Sequence, residues 1–459
     1  MAKLYVFGIG GTGSRVLRSL AMLLAAGVDT NGYEIVPIII DPDESNADLT
    51  RNVLLLNKYI SIREKLHFTV DSKNKFFKTK IHRIFPDFII PIQETNNKTF
   101  EEFIGLGDMS REDKAMAEML FSQNNLCSSM NVGFKGNPNI GSVVLNQISS
   151  SSEFLEFANS FVQGDKIFII SSIFGGTGAS GFPLLLKTLR QNKNIPNAGT
   201  INRAEIGAIS VLPYFNLKTN ENSEIDSSTF FSKTRAALKY YENNVSDANA
   251  LYYIGDMPKR QYDNNEGGTM QENDAHLIEV LASTAIIDFC NNSFSGGGTS
   301  YRELGLTNKE STVTLKDFPE TNMQNEIAYP LIELALFAKS LVDDYSYVSS
   351  DKLKANKKFK DNFYKEHFVR SVRDYLQEFK QWLVELKGNS PSFVPFNMNI
   401  NLKELVTGLT GENHWYAKLD ENTFRAALND ANPKGNEEED KFMEMFAYAA
   451  TKIKNKYRF

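Results

Sequence analysis

Three glycine-rich stretches hold the residues whose types and spacing could do chemistry. The first is GIGGTGS, Gly8 to Ser14, with Gly8, Gly10 and Gly13 spaced as G-x-G-x-x-G. The second is GFKGNPNIGS, from Gly133 to Ser142, where Gly136 and Pro138 punctuate the loop. The third, FGGTGASG, sets Gly175, Gly176, Gly178 and Gly181 around Thr177 and Ser180. Glycine has no Cβ to hold a ligand off the backbone, and it tolerates positive φ. At the head of a helix, such a loop aims N–H groups at an anion, with the helix dipole behind them. Thr177 and Ser180 add hydroxyl donors. The chemistry this suits is phosphate binding. None of the three is a Walker A loop, because no Lys follows at the spacing G-x-x-x-x-G-K-[ST]. The same bareness also suits close packing of backbone on backbone, and the residues alone leave both readings open.

The elements around these loops alternate. Leu4–Phe7 predicts a buried strand, Ser14–Ala26 a helix and Tyr33–Asp41 a second buried strand, ending at acids. That βαβ unit predicts a parallel sheet. Arg111–Gln123 and the segment from Val143 predict helices. Lys166–Ser171 and Glu205–Phe215 predict strands, and Phe182–Arg190 and Ser228–Asn243 predict helices. Ala250–Asp256 predicts a strand. Asn273–Asn291 predicts a helix apolar nearly all round, hence buried. The alternation weakens after SFSGGGTS (Ser293–Ser300), which places a boundary there: residues 1–292 as one domain and 293–459 as a second. In the second, Ser311–Leu315 and FVPFNMNINL predict strands. Ile327–Asp344, Asp351–Gly388 and Phe442–Tyr457 predict helices. The fold class is therefore α/β: a Rossmann-like parallel sheet flanked by helices, a buried central helix and a helix-rich C-terminal domain.

The chain has 459 residues, 42% hydrophobic and 23% charged, with a net charge of −6. That is ample for a large core, and it argues against a basic nucleic-acid binder. Two cysteines and five histidines form no disulfide framework and no zinc spacing. No apolar stretch approaches the roughly 20 residues of a membrane span, and the N-terminus has no signal-peptide pattern. A cytoplasmic setting is the expectation.

A dinucleotide fold needs one glycine loop. Several loops at adjacent strand ends suit a nucleotide held from several sides. In order, the loops resemble the tubulin/FtsZ superfamily. FGGTGASG is similar to its signature G-G-G-T-G-[ST]-G, with Phe174 for the first glycine and Ala179 at the hydroxyl position. GNPNIG (Gly136–Gly141) resembles the loop that wraps the γ-phosphate. GIGGTGS stands at the first glycine loop, and Asp43 in IIIDPDESNADL matches the acid of the N-T-D loop. ISVLPYF and YYIGD resemble two following strands, Gly255 replacing an Asn. NDAHLIEVLASTAIIDFCNN resembles the central helix. The resemblance covers residues 3 to 292 and implies GTP or GDP as ligand, with Mg2+ available to share the charge. It implies Gly10, Gly11 and Thr12 near the phosphates, and Gly136 and Asn137 around the terminal one. It implies Gly175, Gly176, Thr177, Gly178, Ala179 and Ser180 beneath the α and β phosphates, and Asn273 or Asp274 at the base.

It also implies head-to-tail assembly with copies of itself, hydrolysis being completed at the contact. The family's activating acidic loop N-x-D-x-x-[DE] is missing after the central helix. Glu303 or Asp317 could stand in for it, and a solvated role suits them better. GTPase activity is thus open, and the partner of the C-terminal helices is unassigned. Two other functions remain at this point: an NAD(P)-binding Rossmann protein using GIGGTG and Asp41, and a scaffold that no longer binds nucleotide.

Overall fold

A computed structural model of the chain describes residues 1–457 apart from 44–45, 132, 135, 219–228, 258–260, 263–267, 269–271, 295, 304–310, 320–322 and 410–418. Val132 and Lys135 at the second glycine loop, residues 44–45 after Asp43 and residues 304–310 after Glu303 lie outside the described residues.

Strand β1 (Lys3–Ile9) runs directly into helix α1 (Gly10–Ala25). Strand β2 (Glu34–Ile40) and helix α2 (Ala47–Arg63) follow, then the short helix α3 (Pro138–Val144). Next come β3 (Lys166–Ser172), α4 (Gly176–Gln191), β4 (Ile206–Val211), α5 (Phe230–Asn244) and β5 (Ala250–Ile254). The central helix α6 (Leu277–Asn291) precedes β6 (Ser300–Glu303). The six strands form one sheet in the order β2-β1-β3-β4-β5-β6, every pair parallel. Leu4 pairs with Ile35 on one side and Lys166 on the other. Runs such as Ile38–Ile40 and Ile167–Ile170 are buried, as strands covered by helices on both faces must be. Since all strands point one way, the turns after β1, β3 and β4 emerge at one edge. The order reverses between β1 and β3, and at such a switch point a crevice opens beyond the strand ends. The first and third glycine loops follow those two strands.

Several elements differ from expectation. α1 starts at Gly10 instead of Ser14, and α4 at Gly176 instead of Phe182. Glycine's poor helix propensity hides these first turns, and close packing imposes them. α6 starts at Leu277, four residues after Asn273, because His276 caps it. Its Nδ1 accepts from Ile278 N (3.1 Å) and Glu279 accepts from His276 N (3.0 Å). Only Asp288 and Asn291 of α6 are not buried. Past residue 292, β6 still belongs to the main sheet.

Beyond the sheet the chain is largely helical. Helix α7 (Tyr329–Ala338) is flanked by π-helical turns, and α8 (His367–Gly388) is preceded only by 3-10 turns where helix is expected from Asp351. The Lys- and Asn-rich stretch 352–362 has no apolar period to sustain a longer helix. Of FVPFNMNINL only Phe393 lies in a strand. Ser392–Phe393 pairs with Thr312–Val313 and the extension stops there, ahead of Pro395. Helix α9 (Glu438–Lys454) closes the chain. Phe337, Phe363 and Phe446 pack their rings around Phe442 between α7 and α9. Among the described residues no helix is long and apolar enough to cross a membrane.

Candidate functional site

The three glycine loops meet. A Cβ on Gly10 would lie 3.5 Å from Thr177 Cβ and 3.8 Å from Gly178 N. A Cβ on Gly176 would lie 3.1 Å from Asn137 N and 3.2 Å from Gly136 N. Gly10 (φ +71°) and Gly136 (φ +74°) are left-handed, which a side chain would resist. Gly11, Gly136, Asn137, Gly175 and Thr177 keep partial solvent access, while Thr12, Gly176, Gly178, Ala179 and Ser180 are buried.

Helix ends make this convergence chemically specific. The first N–H groups of a helix have no intrahelical partner. In α1 and α4 no side chain caps them, and neither first turn carries an acid. Asn137 likewise leaves α3 uncapped by its side chain. By contrast α2 is capped by Asn46 and carries Asp48, and α6 is capped by His276 and carries Glu279. Two open, acid-free helix ends side by side form a cradle of positive potential for an anion.

Other expected residues are placed as follows. Ser180 Oγ donates to Gly176 O (2.7 Å) within its own helix. Ala179 O accepts the Tyr241 hydroxyl of α5 (3.2 Å). Asp43 is buried and accepts Gly268 N (2.6 Å). Asp41 is buried and accepts Asp43 N (3.1 Å). Asp317 accepts Thr314 N (2.7 Å), so it caps its own turn. Glu303 is exposed at the end of β6.

Asn273 and Asp274 stand in the extended lead-in to α6, on the wall of a cavity of about 240 Å3. Tyr214, Phe215, Tyr262 and Arg15 line the same cavity. Arg15 connects it to the first loop: its Nη2 is 3.4 Å from Thr12 Oγ1, and a Cβ on Gly11 would meet its Nη1 at 3.4 Å. Asn273 is pinned by Asp48, which accepts its backbone N (3.0 Å) and its Nδ2 (2.7 Å).

Arg15 was not among the expected residues, nor was Lys233. Lys233, from α5, donates to Gly136 O (2.9 Å) and brings an ammonium to the second loop. Nothing in the pattern of α5 sets Lys233 apart from its other cations. Arg15 does carry a signal: GSRVLRSL places Arg15 and Arg18 one turn apart in an apolar helix. Both are buried. Arg15 pairs with Glu279 (2.6 Å) and Asp48 (3.1 Å) and donates to the Tyr214 hydroxyl (2.8 Å). Arg51 joins Asp48 to Glu385, and Arg18 takes Glu385 with both Nη atoms (2.6 and 3.1 Å). Three guanidinium groups thus face three carboxylates. Burial works to lower the Arg15 pKa, but Tyr214, Glu279 and Asp48 outweigh it and hold the group well above its ordinary value. Burial pushes the His276 imidazole below its ordinary value.

Burial, with Asp43 and Asp48 nearby, raises the Asp41 carboxyl to about 7. Between about pH 4 and 7 the folded chain therefore holds a proton that the unfolded chain has released. Stability from this group falls as pH rises through that window. Asp41→Asn is expected to stabilise the protein at pH 8 by about 1–4 kcal/mol, at about 1.36 kcal/mol per pH unit of displacement, and to change nothing at pH 4. Thermal melts at both values test this, and an equal effect at both would sink it.

No family model and no curated protein matches the chain. Solved structures do. CetZ from Methanosaeta thermophila strain DSM 6194 is 17% identical, with a TM-score of 0.29, over 56% of this chain and 46% of that one. CetZ2 from Haloferax volcanii, solved as a protofilament bound to GTPgS, is 12% identical, with a TM-score of 0.32, over 63% and 58%. CetZ1 from Haloferax volcanii, solved as a GDP-bound monomer, is 12% identical, with a TM-score of 0.34, over 65% of each chain. The matched part spans less than two thirds of each of the three. At such TM-scores the likeness carries none of the site chemistry, which rests on the loops themselves.

Proposed function

We propose that this chain is a tubulin/FtsZ-like protein that binds a guanine nucleotide and assembles head to tail with copies of itself. The observation that carries this is the pair of uncapped, acid-free helix ends of α1 and α4, meeting at Gly10 and Thr177. The phosphates lie against Gly10, Gly11, Thr12 and the Gly175–Ser180 turn. Gly136 and Asn137 close over the terminal phosphate, with Lys233 behind them. The base enters the aromatic-lined cavity beside Asn273 and Asp274. At about 240 Å3 the cavity sits below the roughly 300 Å3 at which drug-sized pockets begin, a scale suited to one ring system. Guanine offers acceptors at O6 and N7 and a donor at N2. The Arg15 guanidinium answers the first, and the Asp274 carboxylate and Asn273 carbonyl answer the second.

Mg2+ would share charge with the phosphates. Among the described residues no group of three His, Cys, Asp or Glu side chains could hold a metal, so the phosphate oxygens would be its main ligands. Catalysis at such a site is positioning and charge stabilisation. A head-to-tail contact is heterologous and extends into filaments. Asp41 does not favour an NAD-type site, since its carboxylate is buried against Asp43 N.

The test is GTP turnover against protein concentration. A rise steeper than linear is expected if each site is completed by the next subunit. Strictly linear turnover would remove the assembly part of the proposal. Failure of the purified protein to bind GDP or GTP would remove all of it.

A further inference from the structure

The cavity beside the first loop is not closed by the sheet and its helices alone. Asn389, at the end of α8, supplies part of its wall. Its Nδ2 donates to Ala275 O (2.7 Å), and its Oδ1 accepts the hydroxyl of Tyr262, another wall residue. One turn earlier, Glu385 accepts Ala275 N (3.0 Å) while holding Arg18 and Arg51. Ser390 O takes the other nitrogen of His276 (3.2 Å). The lead-in that carries Asn273 and Asp274 is therefore gripped on its far side by the last turn of α8. Glu385, Asn389, Ala275 and His276 are buried and Ser390, Tyr262 and Arg51 are half-buried, so the grip is not a solvent contact that water could replace.

Resting on the guanine-nucleotide proposal above, we propose that α8 is part of the nucleotide site: Glu385 and Asn389 are positioning residues for the base-binding wall, and nucleotide occupancy is transmitted to the C-terminal helices through them. The reasoning is linkage. If docking of α8 holds the wall in its binding shape, it raises affinity for the base. The bound base must then strengthen docking of α8 by the same factor. Glu385 meets α1 at Arg18, well past the Gly10–Thr12 end that cradles the phosphates, so phosphate binding should not feel the two residues.

The experiment compares Glu385→Gln, Asn389→Ala and a control at an exposed position of the same helix, Gln381→Ala, with the unaltered protein. Calorimetry measures affinity for GDP and, separately, for inorganic triphosphate. Hydrogen exchange follows residues 367–388 with and without GDP. The expected result is a loss of about tenfold or more in GDP affinity for both site variants, unchanged triphosphate affinity and an unaffected control. Exchange in 367–388 should slow when GDP binds the unaltered protein, and that slowing should vanish in Asn389→Ala. A variant that merely loosened the fold would lose both ligands together. If the unaltered protein binds GDP and both variants bind it as well, or α8 exchange ignores GDP, this inference is overturned while the nucleotide site stands. If the unaltered protein binds triphosphate but not GDP, both fall. Should Glu385→Gln not fold, Asn389→Ala decides alone.

Discussion

Replacing Gly11 by Val is expected to abolish guanine-nucleotide binding, with a loss of at least ~100-fold, while the fold survives. Gly11 keeps partial solvent access, and a Cβ there meets nothing within 4 Å except Arg15 Nη1 at 3.4 Å. Its φ is not in the left-handed range, so a valine can adopt the backbone. In the folded, unliganded chain the new side chain has room, and a helix tolerates Val somewhat better than Gly. That room is where the proposal puts a phosphate. Two methyl groups would hold the anion off the first N–H groups of α1. Charge-assisted hydrogen bonds are worth about 1.5–3 kcal/mol each, so losing two costs about 3–6 kcal/mol, beyond two decades in affinity. Calorimetry with GDP measures the loss, and a thermal melt shows that the protein still folds. Unaltered affinity would mean that the glycines at this strand end serve packing alone.

Its neighbour Gly13 marks the opposite case. A Cβ on Gly13 would sit 2.5 Å from the Gly8 carbonyl carbon, where strand and helix backbones touch. Gly13→Ala is expected to prevent stable folding, seen as loss of the soluble, cooperatively melting protein. Gly178 and Gly181 are of this second kind, pressed against Ser172 O (2.5 Å) and Ile9 Cγ2 (2.8 Å). The bare loops thus contain packed glycines such as Gly13 beside open ones such as Gly11, where the proposal puts a phosphate. G-x-G-x-x-G looks the same for either, since what separates Gly11 from Gly13 is the neighbour each one faces in space.

That contrast marks how far the residues alone reach. The parallel sheet and buried central helix were legible, because apolar runs such as Ile38–Ile40 and the all-round apolar α6 follow from burial on every side. The meeting of the first and third loops was legible because turns after parallel strands share one edge; the second follows no strand of the sheet, and that argument does not place it. The start of α6 was not: Asn273 lies outside the helix because His276, an uncommon cap, ends the lead-in. The contact of α8 with α1 was also hidden, since Glu385 and Arg18 are 367 positions apart and no local period joins them. Of the cavity wall, only Asn273 and Asp274 were expected. Tyr214, Tyr262 and Asn389 come from segments far apart in the chain.

The second large effect is expected at Arg15. Its guanidinium is the cation between Glu279 and Asp48, and all three side chains are at most 8% exposed. Arg15→Met keeps the apolar stem and removes the charge. Asp48 would retain Arg51 and Asn273, but Glu279 would keep only neutral donors, the Tyr214 hydroxyl and His276 N. A carboxylate buried without its cation costs about 3–5 kcal/mol, a large part of the stability of any single domain. Adding Glu279→Gln to Arg15→Met removes the stranded charge and should recover much of the loss. Urea unfolding of the single and double variants measures this. A single-variant cost below about 1 kcal/mol, or no recovery in the double variant, would show that the buried chain of charges is not what holds α1 to the central helix.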